Sequence, residues 1–264
     1  MQIDGRNIFG LNASTYDKIR PDYRAGWLKK HVGAVPTGRT ALDIGCGTGK
    51  LGQLLASLGF DILGVEPDAH MATMAVNKGL AVETAPFESW DRAGRTFDVV
   101  ACGQAWHWLD QGCRARKAAQ CLAPRGRLIL VWQIPTHRAD VAYELACIYD
   151  VFAKEMPAAA ETAGDLGDDS PIDFDLFASE LRDEGFDRIR QEVIPWRRRY
   201  TASEWRQLIS TESRHLSMPA SQRASLLDAV EHYIANVLKG RLMVDYSCVL
   251  ITATIGKAHG RAPA

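Results

Sequence analysis

The sequence predicts a doubly wound α/β sheet, on three observations. Short apolar runs alternate with helix-like segments over the first half of the chain. The runs show little polar–apolar alternation, as strands covered on both faces do, and the helices between them suit parallel crossovers. The first run, 40–44, opens directly into a turn holding Gly45, Gly47 and Gly49, at the sheet edge where such folds bind ligands.

In chain order, 40–44 (TALDI) is the first strand and 50–59 (KLGQLLASLG) a helix ending at Gly59. Residues 61–66 (DILGVE) form the second strand, 68–79 a helix, and 80–85 (LAVETA) the third strand. Residues 96–103 (TFDVVACG) are the fourth, followed by a helix over 110–122 with Asp110 as its N-cap. The fifth strand, 126–132 (GRLILVW), is introduced by Pro124 and Gly126. The pattern then changes. An amphipathic helix covers 139–154, the small, acidic stretch 156–171 reads as a loop, and 173–186 is another helix. Residues 186–200 alternate like a strand, with Ile189, Val193 and Ile194 turned inward. Helices at 202–215 and 220–238 precede a β-branched strand at 245–256. The tail after Lys257 is expected to fray.

The chain has 264 residues, enough for one large domain or a domain with a small cap. A net charge of −1, from 31 Lys+Arg against 32 Asp+Glu, gives no general attraction to nucleic acid or to an anionic membrane. The first ten residues lack the apolar core of a signal peptide. No uncharged apolar run approaches the roughly 18 residues of a membrane span. The six cysteines, at 46, 102, 113, 121, 147 and 248, form no C-x-x-C pair, so neither zinc nor a disulfide framework is indicated. Reduced thiols in a cytoplasmic protein are expected.

A dinucleotide site asks for G-x-G-x-x-G. Here the third glycine comes one place early, at Gly49, and Lys50 takes its position. A P-loop is rejected because Leu51 follows Gly49 and Lys50 and offers no hydroxyl to magnesium. Asp43 precedes the glycines, and Glu66 ends the second strand, where an acid accepts hydrogen bonds from ribose hydroxyls. Phe87 and Glu88, after the third strand, stand where an adenine face and its exocyclic amine would be met.

The segments LDIGCGTG, GVEPD, APFESWD and FDVVACGQAWHWLD, in this order, resemble the class I S-adenosylmethionine-dependent methyltransferases. The likeness is greatest to the small-molecule group with the type 11 methyltransferase core, over about residues 10–135. It implies a Rossmann-like, seven-stranded mixed sheet of order 3-2-1-4-5-7-6, the last strand antiparallel, with helices on both faces and a helical cap. A lid helix and the cofactor-binding core would occupy 1–136. Cap inserts and the last two strands of the same sheet would occupy 137–264.

The resemblance also implies roles. S-adenosyl-L-methionine is the cofactor and S-adenosyl-L-homocysteine its product, and no metal is needed. Asp43, Gly45, Cys46, Gly47 and Gly49 line the methionine end. Glu66 holds both ribose hydroxyls, with Pro67 and Met71 beside the adenosine, and Phe87 and Glu88 take the adenine. Gln104 and Ala105 meet the methionine ammonium through backbone carbonyls. Tyr16 and Arg20 belong to the lid: Arg20 pairs with the methionine carboxylate, and Tyr16 closes on the donor or acceptor. Tyr16, Arg20 and Tyr23 have helical spacing and are expected on one face.

QAWHWLD (104–110) follows the fourth strand, where the methyl group should emerge. His107 is the candidate general base; the rival reading makes it a packing or loop-shaping residue, with Trp108 in the core. Trp106 would stack on an acceptor or face the sulfonium. Arg214 and His215 are candidates to reach over from the cap and read the acceptor. The basic run 196–200 splits between strand faces and reads as a solvated edge. The expected partner is a small-molecule acceptor, methylated at oxygen or nitrogen in specialised metabolism, with no nucleic acid or membrane involved, and the protein a monomer or homodimer. The rivals are an RNA or protein methyltransferase and a cofactor-binding relative that methylates nothing.

Overall fold

The computed structural model describes residues 9–32, 39–152 and 172–256. Seven strands form one sheet: β1 (Arg39–Ile44), β2 (Phe60–Glu66), β3 (Ala81–Thr84), β4 (Phe97–Gly103), β5 (Leu122–Thr136), β6 (Phe186–Thr201) and β7 (Arg241–Ile255). Their order is β3-β2-β1-β4-β5-β7-β6, as expected. β1 pairs in parallel with β2 and β4, β2 with β3, and β4 with β5. The helices are α1 (Ala13–Ile19), α2 (Ala25–Val32), α3 (Lys50–Ser57), α4 (Ala69–Asn77), α5 (Arg114–Cys121), α6 (Ala139–Phe152), α7 (Phe174–Asp183), α8 (Ala202–Ile209), α9 (Ser213–Leu216) and α10 (Ala220–Asn236).

The chain divides into two compact units. The first comprises residues 22–132, 173–193 and 249–264. Its centre is the run of buried residues Ala41, Leu42 and Ile44 in β1, Val65 in β2, Val100 to Cys102 in β4 and Leu128 to Trp132 in β5. α3 packs on β1, β2 and β4, and α4 on β2 and β3. Coverage by such crossover helices is why these strands read as apolar runs. The second unit comprises residues 1–21, 133–172 and 194–248, and holds an apolar cluster from α1, α6, α8, α10 and parts of β6 and β7.

Five expectations need correction. Asp110 does not cap a helix over 110–122. Its side chain accepts from the Gly112 N–H at 2.9 Å, a local turn that competes with a cap, and α5 begins only at Arg114. β5 is longer than 126–132: it begins at Leu122, and Pro124 and Gly126 lie in an irregular stretch where the β4–β5 register shifts. Val193 is exposed rather than inward, because the burial parity of β6 changes between Ile189 and Glu192. A one-residue slip of this kind sends every later side chain to the opposite face. The helix expected at 202–215 breaks into α8 and α9 around Thr211, whose hydroxyl bonds back to the Leu208 carbonyl at 2.6 Å. Finally, α1 stops at Ile19 ahead of Pro21, so Tyr23 lies outside the helix that carries Tyr16.

The solvated-edge reading of 196–200 agrees with alternating exposure there and with an Arg197–Asp245 ion pair at 3.0 Å. The loop expected at 156–171 and the tail after Lys257 lie outside the described residues. Among the described residues, no helix is long and apolar enough to cross a membrane.

Candidate active site

The turn after β1 is built on left-handed backbone. Gly45, Gly47 and Gly49 have φ of 61°, 55° and 81°, a region that L-residues with a Cβ avoid at a cost of about 1–2 kcal/mol. The three glycines answer different needs. A Cβ on Gly45 would lie 2.6 Å from the Cβ of Ala105, and one on Gly49 would lie 2.7 Å from Leu80. A Cβ on Gly47 would meet nothing nearer than the Met71 methyl at 3.7 Å. Gly45 and Gly49 are therefore demanded by packing, whereas at Gly47 a Cβ would make only an ordinary contact and the positive φ alone calls for glycine.

The turn is fastened to β2. The N–H groups of Gly45 and Cys46 donate to the Val65 carbonyl, and the Gly47 N–H donates to Glu66 Oε2 at 2.8 Å. Glu66 Oε1 accepts from the Asp68 N–H at 3.0 Å, and Asp68 caps α4 through the His70 and Met71 N–H groups. The carboxylate of Glu66 thus fixes the glycine turn and the start of α4 together. Asp43 is almost wholly buried and accepts a backbone hydrogen bond from Gly52, while its Oδ2 has no partner. Burial pushes the Asp43 carboxyl up to about 8 and that of Glu66 up to about 7, against the hydrogen bonds that favour their charged forms. Burial likewise holds the Cys46 thiol in its protonated form. Cys46 explains a residue that sequence reading passed over: Gly64 in β2, where a Cβ would come within 2.6 Å of the Cys46 sulfur. A glycine inside a strand was the available signal.

After β3, the Phe87 ring is buried, stacked at 6.3 Å on Trp90 and overlain by the Lys117 ammonium. Glu88 Oε1 accepts from the Asp110 N–H at 2.9 Å and so ties this loop to the one after β4. Pro67 is partly buried and Met71 buried beside the glycine turn.

The loop after β4 begins with Gln104 at φ 60°, its N–H on the Val131 carbonyl. Residues Trp106–Trp108 then make one 3-10 turn. Trp106 is fully buried, with its carbonyl accepting from Arg114 and its ring under that guanidinium. This corrects the expectation that Trp106 stacks on an acceptor: its indole belongs to the core. Trp108 is only partly buried, against the rival reading that put it in the core. Arg114 also makes a two-pronged ion pair with Glu180 of α7, at 2.9 and 2.6 Å, with both side chains largely buried. His107 lies on Trp108, and its Nδ1 accepts from the Trp132 indole N–H at 3.3 Å. Burial, assisted by Arg114, pushes the His107 pKa down to about 4.

In the second unit, Arg20 donates to the Thr211 hydroxyl and carbonyl at 2.9 and 3.0 Å and lies over the Tyr16 ring. His215 is fully buried. One ring nitrogen contacts the Tyr149 hydroxyl at 2.7 Å and the other Glu212 at 3.2 Å. This corrects its assignment as a reader of the acceptor, because the ring is wholly enclosed within the unit and its Nε2 is engaged by Tyr149. Arg214 pairs with Glu212 and lies over Tyr149. Burial opposes the Glu212 charge, but Arg214 and then His215 outweigh it and hold that carboxyl down to about 2.

Likeness to known proteins bears on this arrangement. A family profile described as a methyltransferase domain matches residues 16–211. An uncharacterised methyltransferase of Mycobacterium tuberculosis is 27% identical over 266 aligned positions, covering 94% of this chain and 95% of that protein. The ubiquinone biosynthesis O-methyltransferase of Paraburkholderia xenovorans is 31% identical over 110 positions, 39% of this chain and 47% of that protein. Among solved structures, a phosphoethanolamine N-methyltransferase 2 from Haemonchus contortus, in complex with phosphomonomethylethanolamine and S-adenosylhomocysteine, aligns with a TM-score of 0.58 at 13% identity. It covers 97% of this chain, and the chain spans 61% of that structure's length.

Proposed function

The chain belongs to the class I S-adenosylmethionine-dependent methyltransferases, and within that family we propose that it methylates a small-molecule acceptor at oxygen or nitrogen with S-adenosylmethionine held at the glycine turn. The observation that carries the reading is the left-handed glycine turn after β1, fastened through the Gly47 N–H to the buried Glu66 at the end of β2 and preceded by the buried Asp43 with its partnerless Oδ2. These residues fit the cofactor. A buried carboxylate oxygen without a partner suits the cationic end of an amino acid, and a second carboxylate at the end of β2 suits a ribose diol.

Each residue has a defined task. Gly47 leaves room for the ligand to approach the backbone. Glu66 accepts from the ribose hydroxyls while keeping the turn fastened, and Asp43, protonated in the free protein, releases its proton when the cofactor binds and then balances the positive charge of the methionine end. Glu88 holds the loops after β3 and β4 together around the adenine. When bound, the cofactor supplies an electrophilic methyl group: its bond to sulfur breaks as the bond to the acceptor oxygen or nitrogen forms, and the electron pair stays on sulfur. Beyond that, the protein positions the acceptor in line and excludes water. The ubiquinone O-methyltransferase relative supports oxygen as the acceptor atom, over the part of the chain that it matches.

Transfer of labelled methyl from S-adenosylmethionine to a panel of phenols, carboxylic acids and amines tests the reading, beside a panel of RNA and protein substrates. Labelling confined to RNA or protein would replace the small-molecule reading. Calorimetric binding of S-adenosylhomocysteine with no transfer to any panel member would favour a relative that binds cofactor without methylating.

A further inference from the structure

His107 stands at the carboxyl edge of the sheet, and its two ring nitrogens are in unlike surroundings. Nδ1 lies 3.3 Å from the indole nitrogen of Trp132. An indole N–H is a donor and nothing else, so Nδ1 must be the accepting nitrogen, its lone pair turned to Trp132. In the neutral ring the proton then resides on Nε2. Nε2 is buried and has no partner.

The donor is rigidly placed. Trp132 is wholly buried, with its ring stacked on Phe177 at 5.3 Å and edge-on to Phe174 at 5.2 Å. The turn carrying His107 is held from its other side by Arg114 on the Trp106 carbonyl. Rotating the imidazole to free Nδ1 would strip the indole of its acceptor inside the core.

From this geometry we propose that His107 is a fixed hydrogen-bond donor, its tautomer set by Trp132, which offers Nε2–H to an oxygen of the bound small molecules and takes no proton from the acceptor. The proposal rests on the methyl-transfer reading for its ligands but not for its tautomer. It narrows the acceptor class. With His107 removed from proton abstraction, the site suits an oxygen already ionised at neutral pH, as in an acidic hydroxyl or a carboxylate, or a neutral amine whose surplus proton leaves to water after transfer. A desolvated ring beside Arg114, with its pKa pushed down to about 4, is a poor base and agrees with this. The oxygen that receives Nε2–H is either the cofactor's carboxylate or an oxygen of the acceptor.

Long-range proton–nitrogen NMR of the ¹⁵N-histidine-labelled full chain tests the proposal, with the resonance assigned through His107→Gln. The expected spectrum shows Nδ1 bare and Nε2 protonated, unchanged between about pH 5.5 and 8.5. Trp132→Phe should let the ring populate both tautomers. A proton on Nδ1 in the parent protein, or titration near the free-histidine value of about 6.5, overturns the proposal whether or not the protein methylates anything. S-adenosylhomocysteine is then added, and acetate afterwards as a stand-in for an acceptor oxygen. A shift of the Nε2–H resonance with the first assigns the cofactor carboxylate. A shift only with acetate in the S-adenosylhomocysteine complex assigns the acceptor side. A resonance that neither moves, in a protein shown by calorimetry to bind S-adenosylhomocysteine, overturns the donor role.

Discussion

Replacing Asp43 with asparagine tests the electrostatics of the site without any ligand. Asp43 is 1% exposed, and burial raises its carboxyl from 3.8 to about 8. A carboxyl whose folded pKa is raised contributes most to stability below its unfolded pKa, and loses that contribution as pH rises toward the folded value. Between about pH 5 and pH 8 the native side chain keeps a proton that the unfolded chain has released. At about 1.4 kcal/mol for each pH unit, the wild-type chain gives up about 4 kcal/mol over this window through Asp43 alone. Asp43→Asn has no proton to release. Glu66, raised to about 7, acts in the same direction but is present in both proteins and largely cancels. Any fixed cost of fitting an amide at Oδ2 cancels as well, because only the change with pH is read. Urea unfolding followed by circular dichroism, at several pH values, should show the stability of Asp43→Asn relative to wild type rising by about 4 kcal/mol from pH 5 to pH 8. A relative stability that changes by less than about 1 kcal/mol across the window would mean that Asp43 is solvated or ionised in the free protein, and the account of its partnerless oxygen would fail.

Glu66→Gln keeps an accepting oxygen for only one of the Gly47 and Asp68 N–H groups and lacks the charge, and should weaken S-adenosylhomocysteine binding by about 1.5–3 kcal/mol in calorimetry; unchanged affinity would remove Glu66 from the ribose site. Gly45→Ala and Gly47→Ala share a strain of about 1–2 kcal/mol from positive φ, but only the first also collides with Ala105. Thermal melts should therefore show the larger loss for Gly45→Ala, while Gly47→Ala loses S-adenosylhomocysteine affinity in a folded protein; the reverse order would contradict the division of labour within the turn. Glu180→Ala leaves the Arg114 guanidinium buried without its carboxylate and should destabilise the fold by about 3–5 kcal/mol. Adding Arg114→Met to it should restore part of that loss, and a double variant no better than the single one would show that Arg114 matters through the Trp106 carbonyl instead.

The parts of the fold legible in the sequence are those fixed by local pattern. β1, β2 and β4 read correctly because burial on both faces leaves short apolar runs, and the glycine turn read correctly because left-handed backbone needs glycine. The misreadings fall where a side chain competes with the backbone or where register slips. Asp110 has the composition of a helix cap, yet it closes a turn three residues early. Thr211 sits inside a helical pattern and breaks it by bonding back to Leu208 and accepting from Arg20, 191 residues away. No local window contains that partner.

The same division runs through the site. Sequence order brought the candidate segments together, because β1 pairs in parallel with both β2 and β4 and their ends meet at one edge of the sheet. Which side chains on those segments turn toward a ligand was not legible, since that depends on what lies behind them. Trp106 and Trp108 flank the same histidine in sequence; Arg114 and Glu180 draw the first inward, and the second is left partly exposed. His107 itself carries the clearest case. As a residue type it suggests a base, and as a position past β4 it suggests chemistry. The chemistry open to it is decided by an indole 25 residues away, whose single donor occupies the nitrogen that a base would need. A histidine's role in such a site is thus written on the strand behind it, and Trp132 is the residue to change when asking what His107 does.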